Sequence, residues 1–250
     1  MKQVRIIAID VNVTSRSLAV QDILQMVYEH HGAYVCVANV HMCMEAFDSD
    51  TYRSIVNNAN YVLPDGKPLS VAQKLLTLEK AEQVRGQDIM NALCSISGKK
   101  NLKIGFYGGS SSDVLNSVME RLQMDFPDIK ICFDYSPPFR PLTEAEDQVV
   151  TRQITQAQID ILFVGIGCPK QEIWMAEHRD SLSCVMLGVG AAFDFIAGNK
   201  KHAPRWVQRV GLEWLFRLLS EPRRLWKRYL KQNPRFVWYF IGQWLFKQSY

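Results

Sequence analysis

Short runs of apolar residues alternate along the chain with longer stretches in which apolar residues recur at helical spacing. The short runs predict buried strands and the longer stretches predict amphipathic helices. Strands are predicted at Arg5–Ile9, Tyr34–Ala38, Tyr61–Leu63, Lys103–Tyr107, Lys130–Phe133, Ile161–Val164 and Val185–Val189. Helices are predicted at Ser17–His30, Met42–Asn58, Pro68–Leu78, Gly86–Ser97, Ser111–Phe126, Thr143–Ala157 and Lys170–His178. This alternation indicates an α/β fold, a mainly parallel sheet of seven strands with helices on both faces.

The pattern changes after Asn199. Pro204 can begin a helix at its first position, and apolar residues then recur at helical spacing from Trp206 to Leu219. Pro222 ends this helix and allows another as far as Lys231, after which Asn233-Pro234 is expected to break the chain. The last segment, Phe236–Phe246, is apolar on nearly every side and suits an interface.

The charge of the chain is also divided at this point. The net charge is +4, but residues 201–250 carry 11 Lys and Arg against two acids, which leaves −5 on residues 1–200. Five of the six Trp lie in the same last fifth. We therefore predict a catalytic core at 1–199 and a basic, Trp-rich helical appendage at 200–250.

Cysteine usage and hydropathy place limits on the compartment. The six cysteines form no CxxC pair, as expected of buried thiols in a reduced cytoplasmic protein. Asp10 interrupts the first apolar run too early for a secretory signal. No stretch reaches the roughly 18 apolar residues of a spanning helix. Any membrane contact is therefore expected to be peripheral.

Polar and glycine-rich segments follow many of the predicted strands. In open α/β sheets ligands bind outside the carboxyl ends of the strands, so these loops are expected to form one crevice. The segments begin at Asn39, Pro64, Gly108, Gly165 and Gly188. Gly108-Gly109-Ser110 suits an anion cradle at a helix start, although an ordinary turn explains it equally well.

Asp65, within Pro64-Asp65-Gly66, would hold a carboxylate at the mouth of this crevice. The same triplet is common turn chemistry, in which Asp only hydrogen-bonds its own backbone. Arg85 could contact a phosphate or carboxylate, or lie on a solvated turn. Gln171 and Glu172, in the first turn of a helix begun by Pro169, are expected to project into the crevice.

Seven segments together resemble the successive blocks of the WecG/TagA/CpsF glycosyltransferase family. They occur in family order over about residues 5 to 230. The segments are Val35–Asn39, Leu63–Gly66, Val84–Met90, Phe106–Gly109, Gly167–Trp174, Gly188–Phe195 with Gly198, and Ala203-Pro204 through Gly211–Trp214.

The resemblance implies a Rossmann-like core and an inverting, metal-independent sugar transfer that needs no cofactor besides a UDP-sugar donor. It implies that Asp65 is the general base, and that Asn39, Arg85 and Gln171 line the substrate pocket. Gly108, Gly109, Glu172 and Gly190 are further binding candidates from the matching blocks. Val37 stands where the family often has Thr.

In the appendage, family arginines correspond to Arg217 and Arg224. The third falls on Lys227, which has Arg228 beside it. These cations would grip a pyrophosphate; a Lys does so as a point charge rather than as a bidentate fork.

The expected partners are a UDP-sugar, a polyprenyl-pyrophosphate-linked acceptor and the membrane surface. Trp and basic residues favour the headgroup boundary, so the chain is expected at the cytoplasmic face of the bacterial inner membrane. Self-association is left open, and nucleic acid is not expected. Two alternatives remain: a nucleic-acid-binding protein that uses the basic appendage, and a nicotinamide-dependent oxidoreductase, which Gly188–Phe193 matches only incompletely.

Overall fold

The computed structural model describes residues 2–29, 31–79, 81–200, 203–204, 207 and 212–246. The strands of these residues are β1 Gln3–Ile6, β2 Ile9–Asn12, β3 Ala33–Ala38, β4 Tyr61–Pro64, β5 Lys103–Gly108, β6 Lys130–Tyr135, β7 Ile161–Gly165 and β8 Val185–Gly188. Strands β3 to β8 form one parallel sheet in the order β4-β3-β8-β7-β5-β6. The predicted α/β fold is confirmed, with six strands in its sheet rather than seven.

Helices cover both faces of this sheet, as predicted. Those within the described residues are α1 Arg16–Tyr28, α2 Val40–Asp48, α3 Asp50–Asn57, α4 Lys67–Thr77, α5 Gly86–Ser97, α6 Ser112–Asp125, α7 Glu144–Ala157, α8 Lys170–His178, α9 Ala192–Ile196, α10 Glu213–Ser220 and α11 Pro222–Phe246. Crossovers between parallel strands are right-handed, so connections that run in opposite directions along the sheet place their helices on opposite faces. Accordingly α2, α3, α7 and α8 pack in one apolar cluster, and α1, α5, α6 and α9 pack in another.

The first predicted strand, Arg5–Ile9, is wrong. The chain turns within it, and β1 and β2 form a separate antiparallel hairpin. Ile7 adopts a left-handed conformation with φ of 56° at this turn. Residues 6 to 9 are fully buried, so the sequence of this turn shows the apolar run that is typical of a buried strand. Hairpin residue Asn12 accepts a hydrogen bond from Val62 N on edge strand β4 at 2.8 Å.

Two helix predictions also differ from the structure. Ser49 is extended and divides the predicted helix Met42–Asn58 into α2 and α3, because its side chain caps the new helix by accepting from Tyr52 N. The expected break at Asn233-Pro234 does not occur, and α11 runs through Pro234. Proline in a helix removes one hydrogen bond and costs about 3 kcal/mol. The contacts of α11 with the core offset that cost.

Three contacts fix α11 to the core on either side of Pro234. Gln232 donates to Glu45 at 3.0 Å, and Arg235 forms a two-pronged ion pair with Asp48 in which one contact measures 2.8 Å. Farther along, the Gln243 amide accepts from Ile7 N and donates to Arg5 O in the hairpin, each at 2.9 Å.

Residues 205–206 and 208–211 of the helix predicted from Pro204 onward lie outside the described residues, Trp206 included. Within them, α10 supplies its later part. The division at residue 199 stays a prediction. No helix among the described residues is long and apolar enough to cross a bilayer. Cysteines are free, and Cys132 is exposed rather than buried as expected, because it lies on edge strand β6.

Candidate active site

The carboxyl ends of the parallel strands open into one cavity of about 1670 Å³. Loops that follow all six strands of the sheet contribute to its wall, five of them through Asn39, Asp65, Gly109, Gly167 and Gly190. Residues of α10 and α11 also line it. The structure thus brings together the strand-end loops that the sequence indicated.

Asp65 lies at the end of β4, where the chain meets the end of β3. Its backbone N donates to Ala38 O at 2.8 Å, which holds the turn beside Asn39. The Asp65 carboxylate accepts from Gly86 N at 3.3 Å, on the first residue of α5. This partner lies 21 residues away in the chain, so the carboxylate is not used to close its own turn.

Burial raises the pKa of Asp65 from 3.8 to about 6. The Arg217 guanidinium opposes this rise, the Glu213 carboxylate adds to it, and the Gly86 N–H and Arg85 oppose it. A carboxyl with a pKa of about 6 is largely ionised at neutral pH and still basic enough to take a proton. Perturbation by burial within a cleft is typical of functional groups.

Arg85, Arg217 and Arg228 surround the cavity with cationic groups. The Nε atom of each is buried and has no hydrogen-bond partner among the residues that the structure describes. Arg85 faces Glu213 at 3.4 Å, and the Arg217 guanidinium lies over the Phe195 ring. Buried donors are normally satisfied, so these three point to an anionic ligand.

The other two predicted cations differ in position. Arg224 lines the cavity, but its Nε is paired with Glu221 at 2.7 Å. Lys227 is exposed, lies over the Trp226 ring and is not part of the cavity wall. Arg228, its neighbour, lines the cavity instead. The rotation of α11 therefore places Arg228 in the cavity wall, whereas the family resemblance assigned this position to Lys227.

Asn39 and the glycines have distinct parts in the wall. The Asn39 amide oxygen caps α2 by accepting from His41 N at 3.0 Å and Met42 N at 3.2 Å, which leaves its NH2 group for a ligand. Gly109 and Gly190 line the cavity. Gly108 does not: with φ of 133°, it packs so closely on Gly165 that a Cβ would lie 2.6 Å from that backbone. Its role is close packing of β5 on β7.

Gln171 lines the cavity, whereas Glu172 lies fully buried beneath it. Glu172 follows Gln171 by one residue, about 100° further around α8, and this direction takes its side chain beneath the cavity wall. Gln171 accepts from Gly167 N at 3.2 Å and donates to the Glu172 carboxylate at 2.7 Å. Tyr52 donates to the other Glu172 oxygen at 2.9 Å. Burial raises the pKa of Glu172, while the hydrogen bonds from Gln171 and Tyr52 oppose the rise.

The sequence interpretation missed Tyr52 and His41. Tyr52 comes from α3, and only the tertiary fold brings it under α8. His41 lines the cavity two residues after Asn39, and burial together with Arg228 and Lys231 lowers its pKa to about 4. The imidazole is therefore neutral at physiological pH and can both donate and accept.

A set of ion pairs joins the appendage to the core at the rim of the cavity. Lys200 pairs with Asp194 at 2.6 Å and lies 3.7 Å from Glu221, which holds Arg224. Asp194 also accepts from Ser110 at 3.2 Å. The glycine-rich loop after β5 is thereby tied to the start of α11.

The Asp48-Ser49-Asp50 triplet has the spacing of a metal-chelating motif, but it is used elsewhere. Asp48 binds Arg235, Asp50 pairs with Arg53 at 2.8 Å, and neither residue lines the cavity. Within the described residues, no three His, Cys, Asp or Glu side chains are grouped so that they could hold a metal ion.

The chain is similar in sequence to known proteins. Residues 4–250 match the model of the Glycosyl transferase WecG/TagA/CpsF family. A Bacillus subtilis (strain 168) relative is 32% identical over 201 residues, 80% of this chain and 75% of the relative. One from Staphylococcus aureus (strain MW2) is 29% identical over 206 residues, 82% and 78% of the two chains. Both are N-acetylglucosaminyldiphosphoundecaprenol N-acetyl-beta-D-mannosaminyltransferases. With the match spanning nearly its whole length, the chain belongs to the WecG/TagA/CpsF family of glycosyltransferases.

Proposed function

We propose that this glycosyltransferase moves a hexose or N-acetylhexosamine-type sugar from a UDP-sugar to a sugar carried on undecaprenyl pyrophosphate, with inversion, in the synthesis of a cell-surface polysaccharide. The observation that carries the proposal is the Asp65 carboxylate in a cavity walled by buried guanidinium nitrogens that have no hydrogen-bond partner in the described part of the chain. The names of the relatives support the lipid-linked acceptor.

In the proposed step, the acceptor hydroxyl oxygen attacks the anomeric carbon from the side opposite UDP. The new C–O bond forms as the bond from that carbon to the UDP phosphate oxygen breaks, and UDP leaves with the electron pair. Asp65 takes the hydroxyl proton. Its raised pKa supports this role, because a general base works best with a pKa near the working pH.

The proposal assigns the phosphate charges to protein groups without a metal ion. Arg85, Arg217 and Arg228 can offer their Nε atoms to phosphate oxygens, and Arg224 and the backbone at Gly109 line the same cavity. Donors aimed at a developing oxyanion in a water-poor site stabilise the transition state strongly. The neutral Asn39 and Gln171 amides are assigned to sugar hydroxyls.

The proposed place of action is the cytoplasmic face of the inner membrane, which the chain contacts peripherally. Support comes from the end of α11, where the Trp244, Leu245 and Phe246 side chains are exposed. Trp favours the membrane interface, where a lipid-linked acceptor has to be met.

The proposal is tested by incubating the purified protein with a panel of UDP-sugars and a synthetic lipid-pyrophosphate glycan, then weighing the products. Asp65→Asn should keep UDP-sugar binding, measured by calorimetry, and lower kcat by roughly 10²- to 10⁴-fold, because only the proton acceptor is lost. Asp180→Asn, an exposed change of the same kind outside the cavity wall, serves as the control. Normal turnover by Asp65→Asn would show that the base is another group.

A further inference from the structure

Helix α11 changes its chemical character along the part that lines the cavity. Arg224 and Arg228 lie near its start, whereas Val237, Trp238 and Ile241 lie farther along, all in the same wall. Arg228 and Trp238 are ten residues apart, which is about 15 Å along a helix axis. The wall therefore passes from cationic to apolar within one helix.

The loop between β6 and α7 contributes apolar residues to the same cavity. Pro137, Pro138, Phe139 and Leu142 line it, and the Phe139 side chain is 91% exposed. On α11, Trp238 is 76% exposed. We call one surface of the cavity the apolar groove: it consists of these four loop residues together with Val237, Trp238 and Ile241 of α11.

We infer that the apolar groove binds the first isoprenoid units of the acceptor's polyprenyl chain, while the adjoining arginines hold its pyrophosphate. The inference rests on the proposed function, since it concerns the same acceptor. Three kinds of group line one cavity: the Asp65 carboxylate, the arginines and an apolar wall. They match the hydroxyl, the pyrophosphate and the hydrocarbon of a lipid-linked sugar.

The size and continuity of the cavity favour this occupant over a bilayer surface or a second copy of the chain. Pockets for a single small ligand measure about 300 to 1,000 Å³, whereas this cavity measures about 1670 Å³. The groove is continuous with the cavity that holds Asp65, so an occupant joined covalently to the reacting sugar can fill both. If a bilayer were the occupant, nothing would distinguish the groove from Trp244, which is on the same helix and 45% exposed but lies outside the cavity wall.

The test uses the full chain and two soluble acceptors, in the absence of membranes. One carries the sugar pyrophosphate on a two-isoprenoid chain, and the other carries it on a methyl group. Trp238→Ala should raise KM for the isoprenoid acceptor by roughly tenfold, because the isoprenoid can no longer bury the large apolar side chain of Trp238. KM for the methyl acceptor and for the UDP-sugar should not change.

Trp244→Ala is the matched control and should alter neither KM. Phe139→Ser, at an exposed loop position on the groove, should repeat the effect of Trp238→Ala and guards against a folding defect in α11. Equal KM values of wild type for both acceptors, or equal effects of Trp238→Ala and Trp244→Ala, would overturn the inference. The inference would also be overturned if Trp238→Ala lost self-association and that loss accounted for its raised KM. Failure of the proposed function is different: wild type would then transfer sugar to neither acceptor.

Discussion

Replacing Asp65 with Asn should stabilise the fold at neutral pH while it removes the transferase activity. Asn has nearly the same shape and keeps an oxygen that can accept from Gly86 N, the contact that Asp65 makes at 3.3 Å. What it lacks is the negative charge that burial disfavours. The fold therefore holds the ionised Asp65 carboxylate at a cost in stability, as is common for functional residues.

The pKa of Asp65 fixes the sign and size of this effect. Because burial raises it from 3.8 to about 6, the folded protein binds this proton more tightly than the unfolded chain does. The associated stability is fully present below pH 4 and is lost as pH rises to 6. A pKa difference of this size corresponds to at most about 3 kcal/mol of stability, and solvent in the cavity reduces it to about 1 to 2 kcal/mol.

Urea unfolding of wild type and Asp65→Asn at pH 4.5 and pH 8 measures the free energy of unfolding, and thermal unfolding at the same two pH values measures Tm. The variant should gain most at pH 8, where Tm should rise by about 2 to 4 °C for each kcal/mol in a chain of this size. Asp180→Asn, an exposed position, should gain little at either pH. An Asp65→Asn variant no more stable than wild type at pH 8 would refute the reasoning, and would favour a structural turn carboxylate.

Two further predictions concern the neighbours of Asp65 and Gln171. Arg217→Gln should raise the pKa of Asp65, because Arg217 is the strongest charge that lowers it; the acid limb of kcat/KM should move to higher pH, and an unmoved limb would contradict the pairing. Glu172→Gln replaces one acceptor oxygen by an NH2 group, so either Tyr52 or Gln171 loses the carboxylate oxygen to which it donates. It should lower the free energy of unfolding by about 1 to 3 kcal/mol and kcat as well, whereas exposed Glu177→Gln should leave stability unchanged.

The parallel sheet could be predicted because its strands carry a local signal. Residues such as Val35 and Cys36 are both buried, on opposite faces, so each strand is a short continuous apolar run. The β1–β2 hairpin has the same kind of apolar run at Ile6–Ile9, so the apolar pattern alone could not distinguish its turn from a continuous strand. Its turn is satisfied by Gln243, far away in the chain.

In the candidate site, too, some features could be predicted from the local sequence, whereas others depend on residues that are distant in the chain. Asn39, Asp65 and Gly109 could be predicted because parallel strands place all their carboxyl ends at one edge. The choice between Lys227 and Arg228 depends on how α11 is rotated, which its packing on α2 determines. The sequence does not encode that rotation locally. Burial of Glu172 likewise depends on Tyr52 from another helix.

The charge asymmetry of the chain acquires a physical explanation from these contacts. The basic last fifth suggested a surface for anionic partners, including nucleic acid. In the structure, Arg235 pairs with Asp48, Gln232 binds Glu45, and Arg224 and Arg228 line the cavity. Part of the excess positive charge is thus matched by carboxylates of the acidic core, and part lines the cavity that contains Asp65. One helix, fixed to the core on both sides of Pro234, can therefore hold both the cationic and the apolar wall of this cavity in place.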